Sequence, residues 1–361
     1  YVEQDLRPVY AGHISYAKDA FDGLRFMEEV LTTGGRPAAP VVVATPAAEE
    51  TELSGLEAKI ALAPKSEDAG AVSSSVASAA VPRAPFFGSK VVNDANLDEI
   101  YHYINERALI RGQWQVKRGT LTEAEYDAMV KEKIYPDFVR LKKKAKQEGW
   151  LAPKVVYGYY PVQSEGDDLI VFRLRGSKRP ADVWNVIGMP AREDLEEFVR
   201  FSFPRQASGR RFCLADFFAP AASGQLDVAA FHLVTMGKVA SDHAATLYGA
   251  NNYRDYLYFH GLAVESAEAL AELWHKKIRE ELDIASKDAD DIRKLFSQHY
   301  QGSRYSFGYP ACPKLEDQAK LFRLLEPERI GVTLTEEFQL VPEQSTSAIV
   351  VHHPEARYFH V

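Results

Sequence analysis

Lys154-Val155-Val156-Tyr157-Gly158-Tyr159-Tyr160 and Leu169-Ile170-Val171-Phe172-Arg173-Leu174 stand either side of Ser164-Glu165-Gly166-Asp167. Two β-branched and aromatic runs around a polar, Gly-containing turn are the signal of a β-hairpin. Downstream, Leu226–Met236 reads as another strand. After Pro342, two short runs, Ala348–Val351 and Tyr358–Val361, are split by a polar turn with Pro354. Helical patterns alternate with these strands. Asn96, with Glu99 three residues on, resembles a capping box opening a helix through Tyr101 and Ile104. Thr122 with Glu125 opens a second, longer helix, which Pro136 kinks. A long helix carries Ala263, Ala267, Leu270, Trp274 and Ile278 on one face. Helices alternating with hairpins predict an α+β fold, an antiparallel twisted sheet with several long helices.

Upstream the composition changes. The stretch 32–83 starts with Gly34-Gly35 and runs into Ala61–Ala80, where twenty residues hold seven Ala, five Ser and no aromatic. So little apolar surface cannot offset chain entropy, so 32–83 is expected to be a flexible, disordered linker, with a short helix around Ser54–Ala63. Residues 1–31 hold Arg7-Pro8-Val9-Tyr10 and then Ala17, Ala20, Phe21, Leu24 and Met27 at helical spacing, like the last strand and helix of an α/β (Rossmann-like) unit. The chain opens at Tyr1 rather than Met and reads as part of a longer polypeptide. The division predicted is therefore 1–31, 32–83 and a folded domain over 84–361.

The 361 residues carry 43 basic against 51 acidic groups, a net charge of −8. That balance argues against electrostatic capture of nucleic acid or an anionic membrane. Two cysteines, Cys213 and Cys312, are too few for a disulfide framework or a thiolate zinc cage and fit a cytoplasmic setting. A glycine-rich dinucleotide fingerprint, a phosphate loop, a nucleophile elbow and a paired-histidine zinc helix are all missing. His352-His353 are adjacent in an expected strand, so their side chains point apart and suit surface or interface structure better than a metal. Lys142-Lys143-Lys144 reads as a solvated helix face.

One segment departs from ordinary packing sequence: Tyr300-Gln301-Gly302-Ser303-Arg304-Tyr305-Ser306-Phe307-Gly308-Tyr309-Pro310-Ala311-Cys312-Pro313. Glycines let a ligand approach the backbone, prolines stiffen the path, the Arg offers a planar fork and the tyrosines offer flat faces. Read alone, it is as well suited to packing as to binding.

This segment closely resembles the signature Tyr-Gln-Gly-x-Arg, three-residue spacer, Gly-Tyr-Pro-Ala-Cys-Pro of the S-adenosylmethionine-binding reactivation (activation) domain of cobalamin-dependent methionine synthase. Lys154–Gly158 with Gly166-Asp167-Asp168, then Phe212-Cys213-Leu214-Ala215-Asp216-Phe217, and Leu334-Thr335-Glu336-Glu337-Phe338 resemble other family segments in the same order. The stretch from Pro8 to Leu24 is similar to the end of the family's cobalamin-binding domain. The cobalt-ligating Asp-x-His-x-x-Gly loop of that domain occurs nowhere in the chain.

The resemblance implies an S-adenosylmethionine site built from Arg304, Gly308, Tyr309, Glu268, Tyr358, Phe359 and Asn105. Arg304 would pair with the ligand carboxylate, Tyr358-Phe359 would lie towards the nucleoside, and Glu268 would face its cationic groups. Asn105 stands where the family has an Asp, so the charge contact is expected to weaken or move to Glu106. Lys314-Leu315 follow Ala311-Cys312-Pro313, where the family often has an acidic residue and a His. No catalytic side chain and no metal ligand are expected on this chain.

The implied activity is that of a methyltransferase module in methionine biosynthesis. It would reactivate oxidised cobalamin, held by the adjacent domain, with one electron from a flavodoxin-type donor and a methyl group from S-adenosylmethionine. The homocysteine and folate half-reactions would belong to other modules. The alternative is a non-catalytic S-adenosylmethionine- or corrinoid-protein-binding regulatory module.

Overall fold

The computed structural model describes residues 76–179, 181–184 and 188–361, together with the helical position Phe26. The α/β fragment expected over 1–31, apart from Phe26, and the linker expected over 32–75 lie outside the described residues. The last residues read as linker lie against the domain: Val76 packs on one core, and Ala77 accepts a hydrogen bond from His353 Nε2 at 2.8 Å.

The hairpin is the centre of the sheet. Strand β2 (Lys154–Glu165) turns through Gly166 into β3 (Asp168–Leu174), which pairs in turn with β4 (Leu195–Ser202). On its other side β2 pairs with β5 (Asp227–Thr235), then come β9 (Ser345–Val351) and β6 (Ser303–Ser306). β1 (Gly88–Val92) pairs with β2 beyond the reach of β3. Every pairing in this seven-stranded sheet is antiparallel. A Cβ at Gly158 would stand 2.1 Å from the carbonyl oxygen of Gly88, so only glycine lets β1 approach there. A separate ribbon pairs β7 (Thr333–Leu334) with β8 (Leu340–Val341).

Strand periodicity divides the apolar side chains between two cores. Val155, Tyr157 and Tyr159 of β2 enter one, and Val156, Tyr160 and Val162 the other. The first core is covered by helices α1 (Leu97–His102), α3 (Tyr135–Gln147), α4 (Lys238–Gly249) and α5 (Tyr253–Glu281), and α2 (Glu123–Met129) precedes α3 along the chain. Ala263, Ala267, Leu270, Trp274 and Ile278 of α5 are all buried there, as their spacing predicts. α6 (Ile292–Phe296) precedes β6, and α7 (Asp317–Leu325) covers the second core. This is the α+β architecture that the hairpin predicts.

Four local expectations change. Asn96 caps α1 through Asp98 N, but the helix ends at His102, before Ile104. Pro136 lies in the first turn of α3, and a π-helical turn, Val130–Ile134, joins α2 to it. Proline lacks an N–H and crowds the carbonyl four residues back, and a wider turn relieves both. Tyr358–Val361 forms no strand: the chain turns at Pro354, and the Tyr358 ring instead stacks on Tyr305 at 6.1 Å. His352 and His353, expected at a surface, are buried just past β9, where His352 Nε2 lies 2.7 Å from Asp227 Oδ1.

Candidate functional site

One end of the sheet is β6, which pairs only with β9. Its residues alternate between faces: Arg304 points to α5, and Tyr305 to the second core. On α5, Glu265, Glu268 and Glu272 stand at positions i, i+3 and i+7, which places them along one helical stripe. Arg304 Nη2 donates to Glu268 Oε2 at 3.2 Å and to Glu272 Oε1 at 2.9 Å. Arg304 is only 3% exposed, and its Nε and Nη1 have no partner among the described residues. Burial opposes the charge on this guanidinium, but Glu272 and Glu268 outweigh it and hold the proton more firmly than usual.

Two neutral groups sit in the same cluster. Glu265, 4% exposed, is pushed up to about 8 by burial and then by Glu268 and Glu272; the backbone N–H of Asn105, whose bond it accepts, only partly offsets this. His232 on β5 is pushed down to about 3 by burial and by Arg304, against Glu272. Neither ring nitrogen of His232 has a partner among the described residues.

Asn105 follows α1 and is half-buried. Its Oδ1 accepts from Ala108 N at 3.2 Å, so the side chain caps the following turn while its own N–H serves Glu265. It also borders a cleft of about 1540 Å³ whose walls include Ile104, Glu106, Phe296 and Ser297. Glu106 is exposed.

Beyond β6 the chain makes a tight turn. Gly308 N donates to Cys312 O at 2.9 Å, and Cys312 N to Tyr309 O at 2.9 Å. Gly308 has φ +89°, and a Cβ there would meet Leu315 Cδ2 at 2.7 Å, so the turn requires glycine. The buried Tyr358 phenol is raised by burial, then by Cys312 and Tyr309, and its oxygen has no partner among the described residues. Tyr358 N donates to Gln298 Oε1 at 3.2 Å. Phe359 packs on Tyr305, Phe212 and Phe217, with its ring inside the second core.

The structure thus joins Arg304, Glu268 and, through Glu265, Asn105 on the helix side of the edge strand. Gly308, Tyr309 and Tyr358 gather on its other side, and Phe359 is a packing residue behind them. Sequence reading missed Glu265, Glu272 and His232. The carboxylates left a signal in their 265/268/272 spacing, which puts them on one stripe of the helix; His232 left none. Among the described residues, no group of three His, Cys, Asp or Glu is placed to hold a metal ion.

The family model described as the vitamin B12-dependent methionine synthase activation domain matches residues 96–361. The chain belongs to that family. The methionine synthase of Mycobacterium tuberculosis (strain ATCC 25618 / H37Rv) is 40% identical over 383 aligned positions, which take in 100% of this chain and 31% of that protein. The Mycobacterium leprae (strain TN) methionine synthase is 39% identical over 387, again covering 100% and 31%. The activation-domain chain therefore spans under a third of the curated relatives it matches. Among solved structures, the crystal structure of the MetH reactivation domain bound to AdoHcy superposes with a TM-score of 0.65 and 25% identity, covering 78% of this chain and 83% of that one. The sheet with helices on both faces is the fold of that activation domain.

Proposed function

We propose that this domain binds S-adenosylmethionine at the β6 edge and presents its methyl group for the reductive reactivation of oxidised cobalamin in methionine biosynthesis. One observation carries the reading: the buried guanidinium of Arg304 is held by Glu268 and Glu272 of α5 and keeps two further donors without a partner among the described residues. S-adenosylmethionine carries a carboxylate, an ammonium and a sulfonium. The open donors of Arg304 suit the first, and the surplus of acidic groups suits the two cations. The orphaned phenol of Tyr358, beside Tyr309 and the Gly308 backbone, suits the hydroxyls or ring nitrogens of the nucleoside. The AdoHcy bound in the related reactivation domain belongs to the same ligand class.

Cobalamin, held by the adjacent domain of the same enzyme, would supply the nucleophilic metal that accepts the methyl group. This chain's residues would bind the ligand, orient it and exclude water. No general acid or base is needed for that transfer. The partners are the cobalamin-binding domain and a flavodoxin-type electron donor in the cytoplasm. Among the described residues no helix is long and apolar enough to cross a membrane.

Calorimetric titration of S-adenosylmethionine tests the reading. Saturable binding is expected, weakened by about 2 kcal/mol or more in Arg304→Ala, the scale of a lost charge-assisted bond. Because that change also strips two carboxylates of their partner, Glu268→Gln serves beside it as a variant that leaves Arg304 paired with Glu272. An intact chain that does not bind, or two variants that bind like the parent, would remove the site.

A further inference from the structure

Glu265 is the buried carboxyl that the proposed chemistry has not yet used. It lies one helical turn before Glu268, almost out of solvent, and accepts a hydrogen bond from the backbone N–H of Asn105. Asn105 is the neutral residue at the cleft wall, and Glu106, the other acidic group at hand, is exposed. Two independent features say that the neighbourhood is built to receive a polar ligand. Arg304 holds two buried donors without partners, and fully buried His232 has both ring nitrogens unpaired among the described residues.

We propose that Glu265, not Glu106, answers the positive charge of the ligand's amino-acid end behind Asn105, and that it is protonated in the free domain and ionises when the ligand binds. The inference rests on the S-adenosylmethionine reading above. The proton leaves for solvent, and the new carboxylate is offset by the incoming cation, so charge is balanced in the closed site.

The surroundings explain the direction. On its own helix Glu265 faces Glu268 and Glu272, which oppose ionisation. From β6 comes Arg304, already engaged by those two. β5 brings His232, which is neutral. The segment ahead of the helices contributes the Asn105 N–H, Glu106 and Arg107, and the following turn contributes Arg111, which is paired with Glu123. α1 adds Asp98, Glu99, Tyr101 and His102, of which Glu99 pairs with Lys277 well along α5; β9 has no titratable group. An added cation beside Glu265 is therefore the change that tips it to the charged form.

Titration calorimetry of the full chain with S-adenosylmethionine, in buffers of differing ionisation enthalpy, reads the released proton directly. The window is about pH 5.5–7, where the ligand's own amine stays protonated. With the free carboxyl raised to about 8, the parent should release close to one proton per ligand. Its affinity should climb by up to about tenfold per pH unit. Glu265→Gln is nearly isosteric with the neutral acid and keeps an acceptor for Asn105. It should bind with no buffer dependence and a flat pH profile, while Glu106→Gln should behave like the parent. Binding without proton release in the parent, or release that persists in Glu265→Gln, would overturn the inference and leave the ligand reading standing. Loss of the proton in Glu106→Gln would also overturn it. Absence of any binding to the parent would overturn both.

Discussion

His232 and Arg304 lie under the same helix, and the contrast between them shows how burial sorts the charges of this cluster. The guanidinium keeps its proton because two carboxylates meet it, whereas the imidazole, with no carboxylate bound to it, is held neutral. The ordinary imidazole value is about 6.5. As pH falls through it, the unfolded chain takes up a proton that the native His232, at about 3, refuses. Stability should therefore be full above the unfolded value and be lost on acidification, by up to about 1.4 kcal/mol per pH unit from this group. Urea unfolding of the parent and His232→Gln between pH 7 and 4 checks this. The parent should lose stability more steeply, and parallel slopes would show that the ring titrates normally. At this scale Arg304 was legible because it stands inside a motif. Glu265 was not, because an isolated Glu on a helix looks solvent-exposed until the facing strand is in place.

At the scale of elements, the helix caps and the hairpin were legible from local sequence. Thr122 and Glu125 form the reciprocal box their spacing predicts, and the β2–β3 turn falls at Gly166. Such features depend on residues a few positions apart. The π-helical turn before Pro136 and the non-strand tail after Pro354 depend on what each segment packs against, so periodicity could not reveal them. Packing also sets which basic side chains are open to the proposed flavodoxin-type donor. Arg279 is buried against Asp288 at 2.6 Å, and Lys277 pairs with Glu99 at 3.4 Å. Lys143 and Lys144 on α3 are exposed, and Lys143 borders the cleft that reaches Asn105. Charge reversal at both, K143E with K144E, should slow electron delivery from a flavodoxin-type donor several-fold and make the rate less sensitive to salt. Affinity for S-adenosylmethionine should stay as it was. Stopped-flow reduction of the full enzyme checks this, and an unchanged rate would remove the patch.

For the whole molecule, both cores as formed by the described residues, and every residue of the proposed site, lie within 76–361. That segment made alone should unfold in one transition, within about 2 °C of the 361-residue chain. It should also bind S-adenosylmethionine as tightly. A broad or much lower melt would mean that residues 1–75 contribute to the fold. What the sequence by itself determined was the α+β class, the strand–turn–strand at its centre, the amphipathic face of the long helix and the family carried by the 300–313 segment. Each is written in short-range periodicity, capping pairs or contiguous motif residues. Only the tertiary structure decided that Asn105 and Glu265 meet, that Arg304 is shared by two carboxylates with donors to spare, and that Phe359 packs while Tyr358 keeps a free phenol. Those properties come from desolvation and pairing between segments remote along the chain, and burial is set by what closes over a residue, not by its neighbours in sequence.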